Sequence, residues 1–165
     1  MVDKVTASAK EAEPLSDAYL NRFGGVARLY GQPGLIALRN AHICVVGIGG
    51  VGSWVAEALA RSGIGTLTLI DMDDICITNT NRQIHTQQSS IGQLKVEAMA
   101  ERIRAINPEC QVYPIMDFVT RDNLQKHIGK QMDFVVDCID SVASKAAMIG
   151  YCSRNKIQII TIGAA

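Results

Sequence analysis

The sequence lacks a disulfide framework, a bias of charge and any long apolar run. Its five cysteines, Cys44, Cys76, Cys110, Cys138 and Cys152, include no CxxC pair, so neither a zinc knuckle nor a thioredoxin-like redox motif is present. Four of the five lie in or beside apolar runs and read as buried thiols in a reducing compartment. Lys plus Arg (16) equals Asp plus Glu (16), so no overall positive field draws the chain to nucleic acid or to an anionic membrane. No apolar stretch is long enough to span a bilayer, and no membrane contact is evident. The opening MVDKVTASAKEAEPLSD has no apolar h-region, which excludes an ordinary secretory signal. A cytoplasmic protein is expected.

What is present suffices for a folded domain: 48% hydrophobic and 19% charged residues in a chain of one-domain length. Residues 1–14 read as a disordered leader, 15–40 as a helical arm and 41–165 as a nucleotide-binding domain. In the arm, Ser16-Asp17 offers an N-cap for a helix through Arg22, and a second short helix is expected over 34–39. Beyond it, strands at 43–46, 66–70, 110–115, 134–139 and 157–162 alternate with helices at 53–61, 92–106, 121–127 and 142–154. Continuous apolar strands separated by helices predict an α/β, Rossmann-like, doubly wound and mostly parallel sheet with helices on both faces. The final TIGAA leaves a strand without a closing helix, so the chain is expected to be the incomplete front part of a longer one and inactive alone.

Gly47-Ile48-Gly49-Gly50-Val51-Gly52 matches GxGxxG between a predicted strand and helix, and Asp71 follows after about twenty residues at a strand end. Such glycines let the backbone turn sharply and bring free N–H groups to a polyphosphate, while the acid can accept from a ribose hydroxyl. The loop alone does not distinguish NAD from ATP. The next segment does: Asp73, Asn79, Asn81, Arg82 and Gln83, then Lys95, supply a guanidinium fork, amides and a point charge suited to a triphosphate. Asp140, after the fourth strand, is a candidate ligand for Mg²⁺ bridging phosphates, with a helix N-cap as the competing role. Asp71, Asp73, Asp137 or Asp140 can share the crevice at the carboxyl ends of the strands.

The ordered set GIGGVGS, LIDMD, NTNRQ, GQLKVEAMAERIRAINP and VDCIDS resembles the ubiquitin-activating-like superfamily, which includes the sulfur-carrier adenylyltransferases. The stretches RFGGVARLYG, IDMDDICITNTNRQIH and YCSRNKI are most similar to its tRNA threonylcarbamoyladenosine dehydratases. That resemblance implies ATP on Gly47, Gly49, Gly50, Gly52, Ser53, Asp71, Asp73, Asn79, Arg82, Gln83 and Lys95, and Mg²⁺ on Asp140, with Arg82, Lys95 and Asp140 acting in catalysis. It implies adenylation of the threonyl carboxylate of the modified adenosine in tRNA, followed by ring closure. It also implies a homodimer, with a sulfur-transfer protein as a further candidate partner. The sulfur-carrier enzymes have an arm arginine that reaches the partner's ATP site where this chain has Gly25, so Arg22 or Arg28 takes that role or none does. Activation of a carrier protein's terminal Gly-Gly is the alternative, and a bare NAD-binding module the second.

Overall fold

A computed structural model describes residues 14–162; the expected leader lies almost wholly outside them, as do the last three residues. Five strands form one sheet: β1 (His42–Val46), β2 (Thr66–Ile70), β3 (Gln111–Ile115), β4 (Phe134–Asp137) and β5 (Gln158–Thr161). All four pairings are parallel and the order is β3-β2-β1-β4-β5. The chain therefore reverses its direction of winding between β1 and β4, the place where open α/β sheets leave a crevice at their carboxyl ends.

Alternation along the strands divides the core into two layers. Ile43, Val45, Leu67, Leu69 and Val136 pack beneath helices α3 (Gly52–Arg61) and α4 (Lys95–Ile106). Cys44, Val46, Ile70 and Val135 face the other way, toward the short α5 (Leu124–His127) and α6 (Val142–Asn155). Helices thus cover both faces, as the apolar strands require. Small residues bring α3 close to the sheet: Ala56 and Ala60 are fully buried.

The arm contains α1 (Asp17–Phe23), begun by the expected cap, in which Ser16 Oγ accepts from Tyr19 N at 3.0 Å. The second arm helix, α2 (Ala27–Asn40), starts earlier than 34 and is broken at Gly31, whose φ of 71° no ordinary helical residue adopts. Tyr19, Phe23 and Leu35 form the arm's own small core. Tyr19 also donates its hydroxyl to the Gly63 carbonyl at 2.6 Å, anchoring α1 at the turn between α3 and β2.

Three further boundaries differ from expectation by two residues or more. The helix predicted from Gly92 begins at Lys95, because Gly92 has a φ of 83° and Leu94 is extended. The helix predicted from Arg121 begins at Leu124. The fourth strand stops at Asp137, where the Asp137 carboxylate accepts from Ile139 N at 3.2 Å and turns the chain away from the sheet.

Candidate functional site: the crevice at the strand ends

A cavity of about 660 Å³ opens at the carboxyl ends of the strands, between the β1–α3 loop and the loops after β2, β3 and β4. The glycine run builds its floor. Gly47 has a φ of 87°, and a Cβ there would lie 3.0 Å from the Cys138 carbonyl oxygen. A Cβ on Gly52 would sit 1.7 Å from the Gly47 carbonyl oxygen, so this position exists for close packing of helix on loop. The N–H groups of Gly49, Gly50, Val51 and Gly52 donate to no backbone acceptor among the described residues, at the positive end of α3. Unsatisfied donors at a helix start form an anion site.

Asp71 braces that floor. Its carboxylate accepts from Ile48 N at 2.6 Å and from Asp73 N at 2.8 Å, which leaves one further lone pair on each oxygen for a hydroxyl ligand. Lys95, only 6% exposed, opens α4 and donates to Asp73 at 2.6 Å. A cation at the first residue of a helix is opposed by the helix dipole, so this lysine is held there against a local cost that Asp73 offsets. Asn79 spends its amide oxygen on Cys76 N at 2.9 Å, so its N–H₂ is what remains for a ligand. Arg82 is exposed and lies with its stem across Gly50, while one guanidinium nitrogen holds the Thr78 carbonyl at 3.0 Å. Gln83 is buried, and its amide oxygen has no partner among the described residues.

Of the residues singled out from the sequence, Gly47, Gly49, Gly50, Asp71, Asp73, Asn79, Arg82, Gln83, Lys95 and Asp140 line this one cavity. Four others do not. Asn81 is exposed, and its amide oxygen accepts from an Arg82 guanidinium nitrogen at 3.2 Å. Gly52 packs against the loop instead. Ser53 is fully buried, and its hydroxyl is aimed at Ile84 N at 3.4 Å; one step into α3, it faces the protein interior. Asp137 is fully buried and takes Lys145 Nζ at 2.8 Å, an ion pair that ties α6 to β4. The competition over Asp140 is decided against the cap: Ser141 caps α6, its hydroxyl accepting from Ser144 N at 3.4 Å, and Asp140 makes no hydrogen bond or ion pair among the described residues.

The sequence reading missed one wall. The loop 117–120 after β3 lines the cavity, with Asp117 accepting from His127 Nε2 at 2.8 Å and Lys126 Nζ at 3.1 Å. Hydrogen bonds from Lys126 and then His127 hold the Asp117 carboxyl below the usual carboxylate range. The rule that parallel strands end at a common crevice would have pointed to it, but no motif did. The arm arginines Arg22 and Arg28 do not line the cavity of their own chain. Among the cysteines, Cys44, Cys110 and Cys152 are buried and Cys76 is exposed. Burial pushes the Cys44 thiol up to about 12, so it is inert as a nucleophile at neutral pH.

Comparison with known proteins agrees with this geometry. The chain is 61% identical over 151 residues to the tRNA threonylcarbamoyladenosine dehydratase of Escherichia coli (strain K12), covering 92% of this chain and 56% of that protein. It is 59% identical over 149 residues to the enzyme of the same name from Haemophilus influenzae, covering 90% of this chain and 57% of the other. The chain thus spans about half the length of these curated relatives. The crystal structure of the E. coli tRNA N6-threonylcarbamoyladenosine dehydratase in complex with ATP superposes with a TM-score of 0.90 at 60% identity, over 92% of this chain and 63% of that one. The profile of the ThiF family matches residues 24–165, a span that holds the whole sheet and every crevice residue named above. The chain belongs to the ThiF family.

Proposed function

We propose that this chain supplies the ATP site of an enzyme that activates the threonyl carboxylate of N6-threonylcarbamoyladenosine in tRNA. The observation that carries the reading is the composition of the crevice. Free backbone N–H groups of the glycine loop share the cavity with a guanidinium, an ammonium, two amides and Asp140, a carboxylate that makes no hydrogen bond or ion pair among the described residues. A dinucleotide needs the glycine loop and the ribose acid; it has no use for three or four additional phosphate donors. The names and the ATP complex of the relatives support the same choice.

In this reading the carboxylate oxygen attacks the α-phosphorus of ATP, pyrophosphate leaves, and the carbamoyl group then attacks the activated carbonyl. The ring closes as AMP and a proton depart. Arg82 and Lys95 hold phosphate oxygens and stabilise charge as it moves onto the leaving group. The glycine loop orients the phosphate chain, and Asp71 holds the ribose. Among the described residues no cluster of three or more His, Cys, Asp or Glu could cage a metal. Mg²⁺ does not need one, since it is commonly held by one or two carboxylates with phosphates and water. Asp140 fits that requirement, and the ion when bound neutralises phosphate charge.

We further infer a cytoplasmic homodimer, in which Arg22 or Arg28 of the exposed arm reaches the second copy's crevice. No helix among the described residues is long and apolar enough to cross a membrane. A sulfur-transfer protein is an additional candidate partner. The test is isotope exchange between pyrophosphate and ATP with the full-length protein, offered either tRNA carrying the modified nucleoside or a carrier protein ending in Gly-Gly. Exchange dependent on the tRNA is expected. Exchange dependent on the carrier protein would turn the reading to a sulfur-carrier adenylyltransferase, and tight NAD binding with no ATP binding would overturn it.

A further inference from the structure

His85 belongs to none of the roles assigned above, yet it is 3% exposed and lies directly behind the glycine loop. Its Nε2 is 2.9 Å from the Ile48 carbonyl oxygen. A carbonyl can only accept, so Nε2 carries the proton and donates. The same residue is held through its other peptide unit, where Ile48 N donates to Asp71 at 2.6 Å. The Ile48 side chain is itself fully buried. The loop is therefore pinned at the residue between its first two glycines by one side chain from the end of β2 and one from the segment that carries Arg82 and Gln83.

Two other bonds join the same stretches of chain. Trp54 Nε1 donates to the Arg82 carbonyl at 2.9 Å, and Ile84 N approaches Ser53 Oγ at 3.4 Å. Residues 82–85 are thus laced to residues 48–54, and His85 makes the one link in this set that is buried at both ends. Each stretch presents groups to the crevice, so the brace sets the distance between the glycine N–H groups and Arg82.

His85 Nδ1 is buried with no donor or acceptor partner among the described residues. Protonation would place a second N–H there with nothing to accept it. Burial is the main cause that pushes the imidazole below the usual histidine range; Lys95 and Arg102 from α4 push the same way, while the Ile48 carbonyl and Asp71 oppose them. The neutral tautomer that serves the brace is the one the surroundings favour.

We infer that His85 is a positioning residue for phosphate binding: through Nε2–H it fixes the Ile48 carbonyl and so holds the glycine loop in register with Arg82. The inference rests on the ATP reading of the crevice proposed above. The experiment compares the full-length wild-type protein with His85→Phe, which keeps a planar ring without a donor, and His85→Gln, whose amide nitrogen can replace Nε2–H. Titration calorimetry with ATP and with adenosine separates phosphate binding from nucleoside binding. The expected result is a loss of ATP affinity of about tenfold in His85→Phe, as for one buried hydrogen bond. Adenosine affinity should change little, and His85→Gln should recover most of the loss. Equal ATP affinity in wild type and His85→Phe would overturn the inference. So would parallel losses for ATP and adenosine that His85→Gln does not repair, since these indicate a merely structural ring. If His85→Phe fails to fold, ¹⁵N spectra of the wild-type imidazole still decide: the Nε2–H tautomer at neutral pH is required, and an Nδ1–H tautomer or an imidazolium overturns the brace. Wild-type protein that binds no ATP would overturn the crevice reading itself, and the inference with it.

Discussion

Carboxylates meet cations in two neighbouring regions of this molecule, and the two are arranged in opposite senses. Between α3 and α4 the carboxylate is inside: the Glu57 side chain is 7% exposed, with Arg102 at 2.6 Å and Arg61 at 2.7 Å reaching it from the surface. At the rim of the crevice the cation is inside: the Lys95 side chain is 8% exposed and its one carboxylate, Asp73, is 55% exposed. Glu57 has two guanidinium partners, which between them reach both of its oxygens. Lys95 has one partner that water can readily solvate, so a phosphate can share or replace it at small cost. Structural pairs answer every buried charge from within the protein, whereas this rim leaves capacity over. Asp140 stands at the far end of that scale, with no hydrogen bond or ion pair among the described residues.

The sharpest test of that contrast is Asp140→Asn. The variant should keep its melting temperature, because Ser141 is the helix cap. It should lose more than about a hundredfold in adenylation rate, since a hard cation contributing several kcal/mol of charge stabilisation needs a charged ligand. Pyrophosphate exchange at varied Mg²⁺ checks it, and a lowered melting temperature with unchanged metal dependence would return Asp140 to a capping role. Lys95→Ala comes next. Loss of a charged hydrogen bond to phosphate is worth about 1.5–3 kcal/mol, or about 10- to 100-fold in ATP dissociation constant, while stability falls by less than about 1 kcal/mol because Asp73 turns to water.

The smallest effect on ligand and the clearest on stability belongs to Glu57. Arg102→Met, which leaves a buried carboxylate with one mobile partner, should cost about 2–3 kcal/mol, and Glu57→Gln less, because both arginines can then reach solvent. ATP affinity should stay within about threefold in both, as read by urea unfolding and calorimetry. The pair also carries a pH signature. Burial alone would raise the Glu57 carboxyl, but the hydrogen bonds and charges of Arg102 and Arg61 outweigh it and hold the group below the usual range. A depressed folded-state value means that the stabilisation is complete above the unfolded glutamate pKa of about 4.3 and is lost as pH falls through the folded value. Wild type should therefore lose stability on acidification below about pH 5 more steeply than Glu57→Gln.

Much of this is legible in the amino-acid sequence. The period of the apolar residues gave the alternation of strands and helices, and the glycine run with Asp71 and the cluster 79–95 marked the crevice by residue type and order. Legibility failed where one position served two masters. Ser53 and Asp137 have the letters of site residues, but Ser53 sits one step into a helix that faces inward, and Asp137 lies on a strand, under α6 and beside Lys145. The loop 117–120 has no signature at all, and it joins the site only because β3 ends beside β2.

The sequence by itself determined the order of elements, the parallel sheet and the chemical character of the crevice, because periodicity, glycine tolerance and side-chain charge are local properties of the chain. Only the tertiary structure decided which carboxylate is spent on the protein and which makes no hydrogen bond or ion pair among the described residues. It also decided that His85 supports the glycine loop from behind. A hydrogen bond between residues 48 and 85, or between 137 and 145, depends on how strands and helices come to lie against each other, and no local property of the chain encodes that distance.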